Sequence, residues 1–120
     1  MEQLHEQYTA NADMLATMHL QAVDTCQPVN GYTADKLKEV YERFELLAYE
    51  TRTVGTKQPG FKFQVDDDVE YVLHGGPMFG GKVIRVRTQK KMKPYIILQE
   101  NGTISFANER HLRISSTVNA

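Results

Sequence analysis

Residues 71–86 read YVLHGGPMFGGKVIRV, and how this stretch is taken decides the fold of the second half of the chain. Two glycine pairs, Gly75-Gly76 and Gly80-Gly81, bracket Pro77, Met78 and Phe79 between two apolar runs. A phosphate cradle of the GxxxxGK[ST] type needs a helix directly after its lysine, and a dinucleotide loop needs GxGxxG; neither spacing is present. Directly after Gly81 the chain runs Lys82-Val83-Ile84-Arg85-Val86, a β-branched alternation with no helix N-terminus to hold an anion. The glycines are therefore expected to supply positive φ in a bent loop between two strands. That loop presents Met78 and Phe79, which are unusually apolar for an exposed turn, and Gly76, Pro77, Met78 and Phe79 become a candidate contact surface for another protein.

Outward from this loop the period stays at two. Val69, Tyr71 and Leu73 alternate with Asp68, Glu70 and Val72; Ile84 and Val86 alternate with Arg85 and Arg87; Ile104 and Phe106 alternate with Thr103 and Ser105. With the apolar run 95–98 and the closing Leu112 and Ile114, five short strands are expected between residues 61 and 116. Asn101-Gly102 is expected to make a tight type I′ hairpin, because both residues accept positive φ. Five strands in so short a span predict a small, strongly bent barrel.

The run F-Q-V-D-D-D-V-E-Y-V from Phe63, then Gly75-Gly76-Pro77, Gly80-Gly81-Lys82-Val83-Ile84, Y-I-I-L from Tyr95, Asn101-Gly102-Thr103-Ile104 and Leu112-Arg113-Ile114 together resemble SH3-like barrel families. Among these are the KOW-type modules of ribosome and transcription proteins and small bacterial proteins with a Gly-Gly-Pro-x-Met loop. The layout is also similar to that of plasmid-type dihydrofolate reductases, whose working residues lie in a Val-Gln-Ile-Tyr strand and on a first-strand lysine. Aligned on Gly102 and Leu112, that tetrapeptide becomes Ile104-Ser105-Phe106-Ala107 and the lysine position falls near Tyr71. The amide and hydroxyl of the reductase site are missing, so the likeness implies a fold and not that activity.

The first half has a different period. Leu4, Tyr8, Leu15, Met18, Ala22 and Cys26 share a helical face at spacings of three, four and seven. Pro28 and Asn30-Gly31 break the chain. Thr33 then serves as N-cap and Asp35 suits the first turn of a second helix, whose stripe is Leu37, Val40, Tyr41, Phe44, Leu47 and Ala48, running to about residue 51. The expectation is an α+β protein: an N-terminal antiparallel helical hairpin over residues 1–52, a linker at 53–60, a five-stranded SH3-like β-barrel at 61–116 and a tail at 117–120. Two short amphipathic helices cannot satisfy their stripes alone, so the hairpin packs either on its own barrel or on a second copy as a homodimer.

At 120 residues, 41% hydrophobic and 24% charged, the chain has the composition of a globular domain with one modest core. No apolar run approaches the ~20 residues of a membrane span, and MEQLHEQY lacks the basic start and apolar middle of a signal peptide, so no membrane contact and a cytoplasmic location are expected. The single cysteine, Cys26, makes no internal disulfide and is expected to be a small buried thiol. The net charge of −1 conceals an asymmetry: residues 1–56 carry four bases and nine acids, and residues 57–120 carry ten bases and six acids.

Much of that positive charge forms one arc, Lys82, Arg85, Arg87, Lys90, Lys91 and Lys93, with no acid among them and Tyr95 just beyond. Such an arc suits a nucleic-acid backbone with an aromatic for stacking; a solvated strand face or a docking surface for the acidic helices are the alternatives. Asp66-Asp67-Asp68 is expected to be a polar start to a strand, because alternate side chains point apart and no EF-hand loop is present. His5, His19, His74 and His111 are dispersed, with no metal spacing and no nucleophile nearby, so neither catalytic residue, metal nor cofactor is expected. The favoured reading is a non-catalytic protein, in size and plan like the short phage or bacterial proteins that modulate a host factor, acting through the glycine loop and basic face. The alternative is a KOW-like nucleic-acid-binding module, and a reductase of the plasmid type is a distant third.

Overall fold

The structure, a computed structural model, describes residues 2–53, 58–88 and 92–115. The chain divides into two compact units, Met1–Val54 and Gly55–Ala120. Residues 54–57 of the expected linker, Lys90, Lys91 and the tail at 117–120 lie outside the described residues.

The first unit is a pair of helices, α1 (Glu2–Thr25) and α2 (Ala34–Glu50). They run antiparallel, since His5 near the start of α1 hydrogen-bonds the Ala48 carbonyl near the end of α2 at 2.8 Å, and Tyr8 packs on Phe44 with ring centroids 6.1 Å apart. Ala12, Leu15 and Ala22 are buried on α1 and Leu37, Tyr41 and Ala48 on α2; three of the six are alanines, which lets the backbones approach closely. Thr33 caps α2 as expected, its hydroxyl accepting the Lys36 N–H at 3.3 Å. Asn30 and Gly31, at φ 52° and 83°, form the turn between the helices, closed by a Val29–Tyr32 bridge.

Two expectations for this unit fail. Cys26 is exposed: it lies one residue past α1 with φ 56°, the left-handed conformation that ends a helix and swings the side chain off its buried face. Glu45, absent from the expected stripe, is 1% exposed, because it sits one turn beyond Tyr41 on the same face.

The second unit is a five-stranded antiparallel sheet with β1 (Asp68–Leu73), β2 (Gly76–Val86), β3 (Tyr95–Gln99), β4 (Ile104–Ala107) and β5 (Leu112–Ile114), in the order β4-β3-β2-β1-β5. Successive strands pair with each other except at the end, where the chain returns from β4 to the far edge and β5 pairs with β1. That return takes four residues, three of them in the 3-10 turn Glu109–His111. In a flat sheet the edge strands would lie roughly 19 Å apart, at ~4.8 Å per strand. The five steps from Ala107 to Leu112 reach about 14 Å with a 3-10 turn in the path. The sheet must therefore curl, and Ala107 and Leu112, from opposite edges, belong to one core with Phe63, Val69, Val83, Val86, Tyr95 and Ile97. No ladder joins β4 to β5 among the described residues.

The glycine stretch corrects the expected loop. Leu73 pairs with Gly76, so the turn is only His74-Gly75, at φ 53° and 81°, a two-residue hairpin of the I′ kind with histidine in the place usually taken by asparagine. The remainder, GPMFGGKVIRV, is one long strand. Of its glycines, Gly81 is required for a different reason from the one expected: its φ is not positive, but a Cβ there would overlap the Leu98 carbonyl oxygen and stand 2.7 Å from Ile97 Cγ2. The Asn101-Gly102 hairpin also differs. Only Gly102 has positive φ, 90°; its N–H donates to the Gln99 carbonyl at 2.9 Å, and Gln99 N–H donates to the Thr103 carbonyl at 2.8 Å. The loop is thus three residues long, a type I turn followed by a left-handed glycine.

Candidate functional site

β2 carries two bulges, and together they decide what the unit displays. In the first, Tyr71 pairs with Phe79 and Val72 with Pro77, leaving Met78 as the extra residue. The bulge turns Met78 outward, where it is 62% exposed beside exposed Pro77. Phe79 goes the other way. Its ring stacks on Tyr71 at 4.9 Å and 4°, packs against the core, and is continued by His111, 5.5 Å from the Tyr71 ring. The two apolar residues of this stretch therefore do different jobs, because Met78 is the unpaired residue of the bulge whereas Phe79 pairs with Tyr71.

The same segment projects from the sheet. β3 pairs with β2 only from Gly81 onward, and β5 pairs with β1 only between Val69 and Tyr71. Residues 72–80 are thus a two-stranded ribbon beyond the neighbouring strands, with Met78 on one side and the Tyr71–Phe79 stack at its base.

In the second bulge Val83 pairs with Ile97 and Arg85 with Ile96, so Ile84 is extra. The expected alternation put Ile84 and Val86 on one face. Instead Val83 and Val86 join the core while Lys82, opposite Leu98, and Arg85, opposite Ile96, share the other side of the sheet, where both are half-buried and Ile96 is fully buried. The consecutive apolar pair Val83-Ile84 is the sequence signal of this shift. On the same side of β4, opposite Ile96, lies Phe106, and the Arg87 guanidinium stands 4.6 Å over its ring while Nη2 donates to the Lys93 carbonyl at 2.8 Å. Lys93 is exposed at φ 49°, with its N–H held by Asn108 Oδ1 at 2.5 Å. Four members of the arc, Lys82, Arg85, Arg87 and Lys93, are thereby placed; Lys90 and Lys91 lie outside the described residues.

Tyr95 is removed from that surface. It is fully buried on the inward face of β3, with Phe61 and Phe63 meeting its ring edge-on at 6.0 and 5.6 Å. Its hydroxyl donates to Glu109 Oε1 at 2.7 Å and accepts the Phe63 N–H at 3.3 Å, and the same carboxylate oxygen accepts the Lys62 N–H at 3.0 Å. Burial first, and then the bond to Glu109, push the phenol from 10.0 up to about 12. The Tyr95 hydroxyl, followed by the Lys62 N–H, holds Glu109 below the usual carboxylate value. A ring enclosed in this way has no face for a base. Glu109, which sequence reading passed over, is the residue that ties the segment before β1 to the 3-10 turn; nothing in its local sequence marks it.

The acidic run is a turn followed by a strand. Asp67 accepts the Gln64 N–H at 2.8 Å, Asp66 takes φ 79°, and Asp68 begins β1. The described residues hold no cluster of three metal-ligating side chains, and no helix among them is long and apolar enough to cross a membrane. In the tetrapeptide aligned with the reductase strand, Ile104 and Ala107 are buried and the Ser105 hydroxyl accepts from Gln99 Nε2 at 2.5 Å.

Compared with family models, with curated proteins and with solved structures, the chain matches none.

Proposed function

We propose that this chain is a non-catalytic binding protein whose second unit, a small curled sheet of the SH3-like kind, contacts another protein through the β1–β2 ribbon. The observation that carries this reading is the bulge at Met78: a long apolar side chain held outward at 62% exposure on a projecting, well-paired hairpin. An exposed methionine beside a proline on a rigid ribbon is an adaptable apolar contact that requires little ordering when a partner arrives. Pro77, Met78 and the Gly76 backbone form the contact, and Phe79 supports it from beneath through Tyr71. The plan suits a short cytoplasmic protein of phage or bacterial kind that modulates a host factor. The experiment compares proteins retained by the immobilised wild-type chain and by Met78→Asp, with circular dichroism confirming that both are folded. Partners lost with the variant support the ribbon; an identical set on both overturns it.

A second reading, a nucleic-acid-binding module, rests on the bulge at Ile84, which puts Lys82 and Arg85 on one side of β2. Arg87 follows on the same strand and is bonded to the carbonyl of exposed Lys93, and phosphate is what such a group of cations would meet. Binding that weakens steeply with salt and is lost in Lys82→Glu/Arg85→Glu would establish it; no mobility shift of any DNA or RNA at low salt would remove it.

A further inference from the structure

The chain contains two Asn-Gly dipeptides, Asn30-Gly31 and Asn101-Gly102. Asn-Gly is the sequence in which the following backbone nitrogen most readily attacks the asparagine amide carbon, because glycine has no side chain to hinder the approach. As sequence the two sites are equivalent. The fold separates them. At the second, the Gly102 nitrogen that would have to attack gives its proton to the Gln99 carbonyl at 2.9 Å, and the Asn101 amide oxygen accepts the Thr103 N–H at 2.9 Å. Strands β3 and β4 hold both flanks of that hairpin. At the first, the closing bonds belong to Val29 and Tyr32, at 2.9 and 3.0 Å, and neither the Gly31 N–H nor the Asn30 side chain is engaged by any of the described residues. Both residues are exposed, and beyond Gly31 and its two chain neighbours no atom of the described residues lies within 4 Å of the position a Gly31 Cβ would occupy.

We infer that Asn30 is a self-modification site: the fold leaves Asn30-Gly31 open to succinimide formation and protects Asn101-Gly102 from it. The Gly31 nitrogen forms a bond to Asn30 Cγ, its proton passes to solvent base, and the amide leaves as ammonia. Water then opens the ring at either carbonyl, giving aspartate or isoaspartate. Nothing is oxidised or reduced, and water is the only co-reactant. Either product places a new carboxylate in the turn between α1 and α2, in the half of the chain that already has nine acids against four bases. The isoaspartyl product also lengthens the backbone by one carbon inside a turn that joins two packed helices.

The test incubates the full-length protein at mildly alkaline pH and physiological temperature, then follows the mass gain of each Asn-Gly peptide after digestion. The Asn30 peptide is expected to convert about fivefold faster or more, the factor one net backbone hydrogen bond contributes. A parallel incubation in strong denaturant should bring the two rates together, since the folded turns are then gone. Equal conversion in the native protein, or faster conversion of Asn101, overturns the inference. So does a ratio that persists unchanged in denaturant, because the difference would then belong to the sequence.

Discussion

The Tyr95 hydroxyl donates to Glu109 Oε1 at 2.7 Å from a side chain that is itself fully buried, joining β3 to the 3-10 turn that returns the chain to β5. Replacing Tyr95 by Phe keeps the ring and its edge-on contacts but leaves the Phe63 N–H without its acceptor. The expected cost is about 1–2 kcal/mol, read from urea denaturation of the second unit. Tyr95→Ala removes the ring as well and should cost about 3–5 kcal/mol.

The same phenol gives the protein an alkaline limit. Its value is raised on folding, from 10.0 to about 12, so its contribution is intact below pH 10 and lost as pH rises through that window. For a side chain this buried the loss is on the order of 2–3 kcal/mol. Tyr95→Phe should flatten that limb of the stability profile. An equally steep alkaline loss in the variant would show that other groups cause it. Glu109 behaves oppositely: its lowered value means its contribution is present at neutral pH and lost as pH falls through the acid range, and Glu109→Gln should shallow the acid limb.

Gly81→Ala is expected to destabilise the sheet by about 2–3 kcal/mol, as overpacking does, because the added methyl meets the backbone at Leu98 rather than a side chain that can move aside. Gly76→Ala, at the start of the same strand, has open space and ordinary φ and should stay within about 0.5 kcal/mol of wild type. Thermal melts of the two variants separate the roles of the first and second glycine pairs. A melt of Gly81→Ala matching wild type would mean that β2 and β3 do not approach so closely.

Met78→Asp and Phe79→Asp, neighbours in sequence, should part company. The first substitutes an exposed bulge residue and leaves stability within about 0.5 kcal/mol. The second places a carboxylate against Tyr71 and the core and should cost about 2–4 kcal/mol. Far-ultraviolet circular dichroism with chemical denaturation checks both. Equal losses would argue against the bulge.

In the helical pair, Thr33→Ala should cost about 1 kcal/mol through the lost cap on the Lys36 N–H, and Thr33→Asp should retain most of the stability. Hydrogen exchange at the first turn of α2 reports this directly, with faster exchange expected in the alanine variant alone.

Periodicity and punctuation were sufficient, from sequence, for two helices broken at Asn30-Gly31, the Thr33 cap and five strands, because these are set by residues close together in the chain. The tertiary structure was needed at the places where a distant strand decides. Gly81 reads as a turn glycine until Leu98 is seen lying against it. Tyr95 reads as a surface aromatic at the end of a basic arc until Phe61, Phe63 and Glu109 enclose it. Met78 and Phe79 read as one apolar tip until pairing with β1 makes one a bulge and the other a support. The local energies that write a helix or a turn are carried by neighbouring residues, whereas strand register is fixed by pairing across the sheet, and one extra residue in a strand reverses the side on which all later side chains stand.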